Sequence, residues 1–374
     1  MFHVIKMAAL ALAAALVATP VSAQDRCAAP EPVCAARAGV FVIHGFDPFA
    51  SAVRVGPDLL VTNRHVVADA RTVRIEAGGG REVEGAVVPT AYDGDLILVR
   101  APGLGDGPAL SPDGASSGGD LYTVGADLGR KAVRVYPPGR ILLPRAATPQ
   151  ARLQHGAYSQ VGNSGGALVD AGGRLVGIVA SGGEGRYEAI EAGEIERLKE
   201  QSGPAFEAES AAVGLANRRC TEAVEVQGPA PLFMADEVAA TLVEACGASR
   251  NRQHFDLAAQ ALGLARRVDR SVALSEAAIA RDPAAINSRL ILVTTLHIAG
   301  RYAEELPHLR FLMKAIPADP AVARYAIQAG KWGGDEDLAR SALALLRQHN
   351  PAQAEAAGRF LEADLPPPRR PAPE

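Results

Sequence analysis

Three short segments hold residue types that together could carry out acyl transfer. They are a histidine in Thr62-Asn63-Arg64-His65-Val66-Val67, an acid in Asp93-Gly94-Asp95-Leu96-Ile97-Leu98-Val99, and a serine in Gly162-Asn163-Ser164-Gly165-Gly166. A serine hydroxyl is a weak nucleophile and needs a base within ~3 Å to take its proton. His65 is the candidate base; an acid at Asp95 would fix the imidazole tautomer and stabilise the imidazolium. The glycines let the chain turn so that the amides of Gly162 and Ser164 converge on one point. There they could bind the oxyanion of a tetrahedral intermediate, at ~3 kcal/mol per donor. Asp93 is the fallback acid if the motif is offset by two, and Asp95 is preferred because it abuts the apolar run. A phosphate-binding reading of the Gly-rich segment fails because no Lys-Ser/Thr follows and no helix is expected there. The same missing helix excludes the strand–turn–helix elbow of an α/β-hydrolase esterase.

The elements that must position these residues read as β. Between residues 38 and 200 the chain alternates ten short apolar runs, from Val40–His44 to Tyr187–Ile190, with turns such as Gly56-Pro57-Asp58, Gly78-Gly79-Gly80 and Ala171-Gly172-Gly173. Runs rich in Val and Ile at this spacing predict an all-β barrel or sandwich. No helical run of ten residues precedes Glu191–Gln201, which disfavours a doubly wound α/β sheet.

The order His, Asp, Ser on such a chain, with TNRHVV, DGDLILV and GNSGGALV, resembles the trypsin-like serine peptidases, closest to their bacterial HtrA-like branch. The resemblance covers about residues 38 to 198. It implies a double six-stranded β-barrel with a cleft between the barrels, His65 and Asp95 coming from the first and Ser164 from the second. It also implies an oxyanion hole from Gly162 and Ser164, a substrate-pairing strand at Arg174–Gly182, and a final strand at Gly185–Ile190. By the same resemblance Tyr158 lies at the base of the specificity pocket, with Ala180, Ser181 and Gly182 as one wall and Gly185 as another. No acid at Tyr158 argues against a preference for Lys or Arg. The phenol would shorten the pocket toward small or medium apolar side chains, unless it turns into the core.

Asn163 stands where digestive and clotting members carry an Asp, so activation by an ion pair to a new N-terminus is not available. HtrA-type proteins share the Asn but continue into PDZ domains, and here helical periodicity follows instead. Their quality-control role is therefore not implied. His155 reads as a satisfied loop histidine, and His254, His297, His308 and His349 as surface or packing residues without metal-ligand spacing.

Residues 1–23 read as a cleavable signal peptide, with Lys6, an apolar stretch and Val21-Ser22-Ala23 before Gln24. The apolar run from Met7 to Ala18 is well short of the ~20 residues that span a bilayer. A periplasmic or secreted chain is expected, without stable membrane insertion after cleavage, and Asp25-Arg26 before Cys27 disfavours a lipid anchor. Residues 24–37 form an N-terminal segment. Four cysteines in an exported chain favour disulfides in one of three connectivities, the simplest being Cys27–Cys34 and Cys220–Cys246. Lys+Arg 38 against Asp+Glu 42 gives no basic excess, so nucleic acid is not an expected partner.

Residues 201–231 read as a linker, 232–365 as an α-helical domain and 366–374 as a disordered, Pro-rich tail. Asp236–Ala245, Phe255–Val268 and Val272–Ala280 show helical periodicity. Asp282-Pro283, Asp319-Pro320 and Asn350-Pro351 recur at a mean spacing of 34 and resemble helix starts of tetratricopeptide repeats (TPR-like). Glu305 and Pro307 depart from that pattern. The whole predicts a serine endopeptidase without cofactor or metal, acting on peptide or protein, with a helical domain that recruits substrate or partner. The rival is a catalytically silent adaptor binding through its helices.

Overall fold

The computed structural model describes residues 27–114, 118–228 and 233–368. The expected signal peptide and residues 369–374 of the expected tail lie outside the described residues.

After a short helix α1 (Glu31–Ala35), six strands form a closed barrel: β1 (Val40–His44), β2 (Ala50–Gly56), β3 (Leu59–Thr62), β4 (Thr72–Glu76), β5 (Glu82–Val88) and β6 (Ile97–Arg100), in the order β1-β2-β3-β6-β5-β4. Strand β4 shows the rule: Val73 and Ile75 point inward while Thr72 and Arg74 face solvent, as the two-residue period of a strand requires. One helical turn, α2 (Arg64–Val67), follows β3. A second, seven-stranded sheet comprises β7 (Leu121–Asp127), β8 (Ala132–Val135), β9 (Ile141–Leu143), β10 (Leu153–His155), β11 (Ala167–Asp170), β12 (Leu175–Gly183) and β13 (Arg186–Glu191). Its order is β8-β7-β11-β12-β13-β10-β9. Gly139, just before β9, exchanges both backbone hydrogen bonds with Leu121 of β7, which curls the sheet toward a second barrel. Strands β9, β10 and β11 fall outside the ten apolar runs read from the sequence.

Helix α3 (Glu194–Glu200) closes the β half. The stretch 201–231, expected as a linker, is instead largely helical: α4 (Glu207–Gln227) runs 21 residues. Its buried positions are Ser210, Val213, Gly214, Ala216, Asn217 and Cys220, mostly small or polar, so it shows little apolar stripe in the sequence. Helix α5 (Asp236–Thr241) continues into a π turn, Leu242–Cys246. Cys246 is bonded to Cys220 of α4, and Cys27 to Cys34.

Seven further helices follow: α6 (Arg252–Leu264), α7 (Val268–Arg281), α8 (Ile286–Ala299), α9 (Tyr302–Ala315), α10 (Pro320–Gly333), α11 (Glu336–His349) and α12 (Pro351–Glu362). Helices α6, α8 and α10 begin 34 residues apart, and so do α7, α9 and α11. Asp319 caps α10 through the amides of Ala321 and Val322, as its Asp-Pro signal predicts. Asp282-Pro283 is different, because α8 starts only at Ile286 and Asp282 is buried at the contact with the β half. Pro307 lies inside α9, and the fully buried Glu305 accepts from His297 Nδ1 at 3.1 Å. No described helix is long and apolar enough to cross a membrane.

Candidate active site

His65 lies in the single turn after β3, and the residues before it fix where it points. The buried Asn63 side chain donates to the Asp95 carbonyl at 3.0 Å, and Arg64 N donates to the same oxygen at 3.3 Å. The Asp95 carboxylate, 1% exposed, is thereby delivered to the histidine. Its Oδ1 accepts the His65 backbone amide at 3.0 Å and its Oδ2 the ring Nδ1 at 2.9 Å. An ionised carboxylate can only accept, so Nδ1 carries the proton and Nε2 is left as the base. Burial alone would favour the neutral acid, but the His65 ring and Arg152 outweigh it and hold Asp95 below the ordinary carboxylate range. Asp93, the fallback, is exposed and faces Gln150 and Arg250 instead of His65.

Ser164 sits in a tight turn clamped onto the first barrel. Asn163 is fully buried; its Oδ1 accepts from Gln160 N at 2.8 Å and its Nδ2 donates to Ala126 O at 2.9 Å. Gly162 takes φ +96°, and its carbonyl accepts from Ser51 Oγ at 2.7 Å. Gly165, at φ +79°, lies so close to β2 and β3 that a Cβ would stand 2.1 Å from Ser51 O and 2.2 Å from Thr62 Oγ1. Only glycine fits both demands. The turn thus rests beside the end of the strand that leads to His65. No hydrogen bond joins the Ser164 hydroxyl to the ring, a bond that often tightens only with substrate present. Among the described residues neither the Gly162 nor the Ser164 amide is taken by an acceptor, which leaves both donors available.

The expected pocket residues are dispersed in character. Tyr158 is 43% exposed, and its ring packs against Tyr136 and Tyr187 at 6.0 and 5.9 Å between centroids. Ala180 is buried, while Gly182 and Gly185 take φ of +112° and +78° on the β12–β13 hairpin. Ser181 is drawn away: its Oγ donates to Glu188 at 2.8 Å and accepts from Arg152 at 2.8 Å. His155 is no loop histidine. It is fully buried in β10 against Tyr187, and burial pushes its pKa down to about 4.

A buried ionic cluster behind Asp95 is the part that sequence reasoning missed. Arg152, just before β10, reaches Glu188 at 3.3 Å and the Asn251 Oδ1 at 3.0 Å, and lies 3.6 Å from Asp95 Oδ2. Arg252 at the start of α6 pairs with Glu188 and lies 3.6 Å from Asp282 Oδ2. Burial opposes ionisation of Glu188, but the two arginines prevail and hold it well below its usual range. His254, expected as a surface or packing residue, is buried with its ring 6.4 Å from that of His65. Burial, with His65 and Arg152 nearby, pushes it down to about 3, so it is neutral at any working pH. These contacts span 30 to 189 residues of sequence, beyond the reach of any local signal. Among the described residues no three His, Cys, Asp or Glu converge as a metal site.

Residues 50–178 match the family described as trypsin-like peptidase domain. The chain is 29% identical over 178 residues to serine protease Rv3671c of Mycobacterium tuberculosis, covering 43% of this chain and 44% of that protein. It is 27% identical over 137 residues to serine protease Do-like HtrA of Lactobacillus helveticus, covering 33% and 32%. The chain thus spans less than half the length of these relatives. Among solved structures, the inactive form of the Rv3671c protease aligns at 24% identity and a TM-score of 0.40, over 46% of this chain and 96% of that one. The HtrA-type protease AlgW with tripeptide aligns at 26% identity and 0.40, over 45% and 61%. From Ala50 to Ile178, then, the chain carries a trypsin-like peptidase domain, with a helical region docked behind its histidine–aspartate pair.

Proposed function

We propose that the protein is a serine endopeptidase in which Ser164 attacks the scissile carbonyl and His65 is first general base, then general acid. Asp95 orients the ring, and the Gly162 and Ser164 amides stabilise the oxyanion before water releases the acyl-enzyme. The observation that carries the reading is the Nδ1–H bond of His65 to a fully buried Asp95, which leaves Nε2 free at the strand end beside the serine turn. The export signal read at residues 1–23 and the two disulfides support action in the periplasm or outside the cell.

Tyr158, its ring held between those of Tyr136 and Tyr187, supports a preference for small or medium apolar side chains over Lys or Arg. The helices we read as tetratricopeptide-like repeats, on the strength of their 34-residue period. A cavity of about 350 Å³, lined by Arg186 of the hairpin and by Leu264, Leu290, Ile291, Ile298 and Tyr325, favours recruitment of a peptide there.

Fluorophosphonate labelling of the full chain tests the core of this reading. Wild type is expected to label at Ser164. Ser164→Ala should not label, and its peptide turnover should fall by on the order of a millionfold. Failure of both proteins to label would favour the silent-adaptor reading, for which the unmade Ser164–His65 bond is the one structural argument.

A further inference from the structure

The helical region does more than lie near the site. The Asn251 side chain, from the turn that opens α6, is fully buried and inserted between the two halves of the molecule. Its Oδ1 accepts twice, from Gln253 N at 3.0 Å, which caps α6, and from Arg152 Nη2 at 3.0 Å. With both donors on Oδ1 the amide orientation is fixed, so Nδ2 is the atom that faces the His65 ring, 3.5 Å from Nδ1. Arg152 is in turn the cation 3.6 Å from Asp95 Oδ2, the oxygen that takes the imidazole proton.

We infer that Asn251 is a positioning residue of the peptidase site, supplied by the helical domain: it holds Arg152 against Asp95 and closes the Nδ1 side of His65. This rests on the peptidase reading for its consequence, though not for its geometry. The charged groups around His65 are few and each has a fixed place. Asp95 comes from the approach to β6 and Arg152 from the approach to β10, with Glu188 of β13 behind it. Arg64 precedes the ring on α2, Arg250 is tied to Glu209 and Asp93, and His254 of α6 is neutral. Among the described residues of the helical region, Asn251 is the side chain that touches both the cation and the ring. When it is lost, Arg152 keeps Glu188 and Ser181 on Nη1, but Nη2, the nitrogen nearest Asp95, loses its hydrogen-bond acceptor. Asp95 then loses a partner that fixes its carboxylate plane, and the Nδ1–H bond loosens.

The variants separate this role from helix capping. Asn251→Ser still caps α6, since serine caps about as well as asparagine, but it is too short to reach Arg152. Asn251→Asp keeps both the cap and the acceptor for Arg152. Histidine-labelled full-length protein gives the readout: the low-field Nδ1–H resonance of His65, assigned by its loss in His65→Gln, alongside the fluorophosphonate labelling rate. In Asn251→Ser the resonance should broaden or disappear and labelling should slow by roughly ten- to a hundredfold, as misplacement of a catalytic group does. The thermal midpoint should move by only a few degrees, and Asn251→Asp should restore both signals.

A wild-type resonance in Asn251→Ser would overturn the inference. If that variant does not fold, Asn251→Gly, which also caps α6 and cannot reach Arg152, decides by the same readout, a lost resonance in support and a wild-type one against. Wild type that fails to label while its resonance still responds to Asn251→Ser would sink the peptidase reading and leave the positioning role standing.

Discussion

The helical half meets the β half along two joins of opposite character. The inner join, behind Asp95, consists of fully buried ions: Arg152 and Arg252 with Glu188 between them, and Asp282 beyond. The outer join, along α4, carries its ion pairs at the solvent-facing rim of that helix. Arg218 meets Asp69 at 2.6 Å with both side chains about a third exposed, and Arg71 meets Glu207 at 3.1 Å with both more than half exposed. The distances are similar, yet their consequences differ, because a charge out of water depends on its partner for several kcal/mol while an exposed one is already solvated. Proximity of opposite charges therefore says little about which join holds the halves together; burial does.

The largest expected effect tests the inner join. Arg252→Ala leaves the buried Glu188 with Arg152 as its remaining cation and should cost about 3–5 kcal/mol in urea unfolding. Pairing Arg252→Met with Glu188→Gln should recover most of that loss, because no uncompensated charge remains. If Arg252→Ala costs no more than a surface pair, the contrast between the joins collapses.

A middle-sized effect concerns pH. His254 is buried neutral with a folded value of about 3, whereas an unfolded histidine titrates near ~6.5. Below ~6.5 the unfolded chain binds a proton that the folded one refuses, so stability present above that pH is lost as pH falls, at ~1.4 kcal/mol per unit. His254→Gln should flatten the urea-midpoint curve between pH 6.5 and 4.5 by that slope. His155, held at about 4, keeps contributing its own share. An unchanged slope would mean that His254 takes up a proton in place.

The smallest effect belongs to the outer join. Asp69→Asn should change stability by no more than ~0.5 kcal/mol and change it less still at high salt. A loss near that of Arg252→Ala would make the outer join an equal partner.

What could be read in the sequence divides along the same line. His65, Asp95 and Ser164 each sit in a run whose own residues dictate the local turn, and Asn163 and Gly165 reveal by type the constraints they meet. Asp95 could be preferred over Asp93 because it abuts an apolar strand. Arg152, Glu188 and Asn251 carry no such mark. Each is an ordinary polar residue in an unremarkable run, and only tertiary contact gives it a role. Helix α4 passed for a linker because it packs through Ser210, Gly214 and Asn217 instead of an apolar stripe. Strands β9 and β10, three residues each, are too short to show alternation.

Arg64, beside His65, carries a consequence for how such a chain can change over generations. Its guanidinium is buried and donates to the backbone and hydroxyl oxygens of Ser210, 146 residues away on α4. An exchange of helical halves between two such genes would strand that cation beside the histidine unless the incoming α4 brought the matching acceptors. The two halves are therefore matched at this residue, and a chimera joined between residues 64 and 210 has to keep the acceptor at position 210.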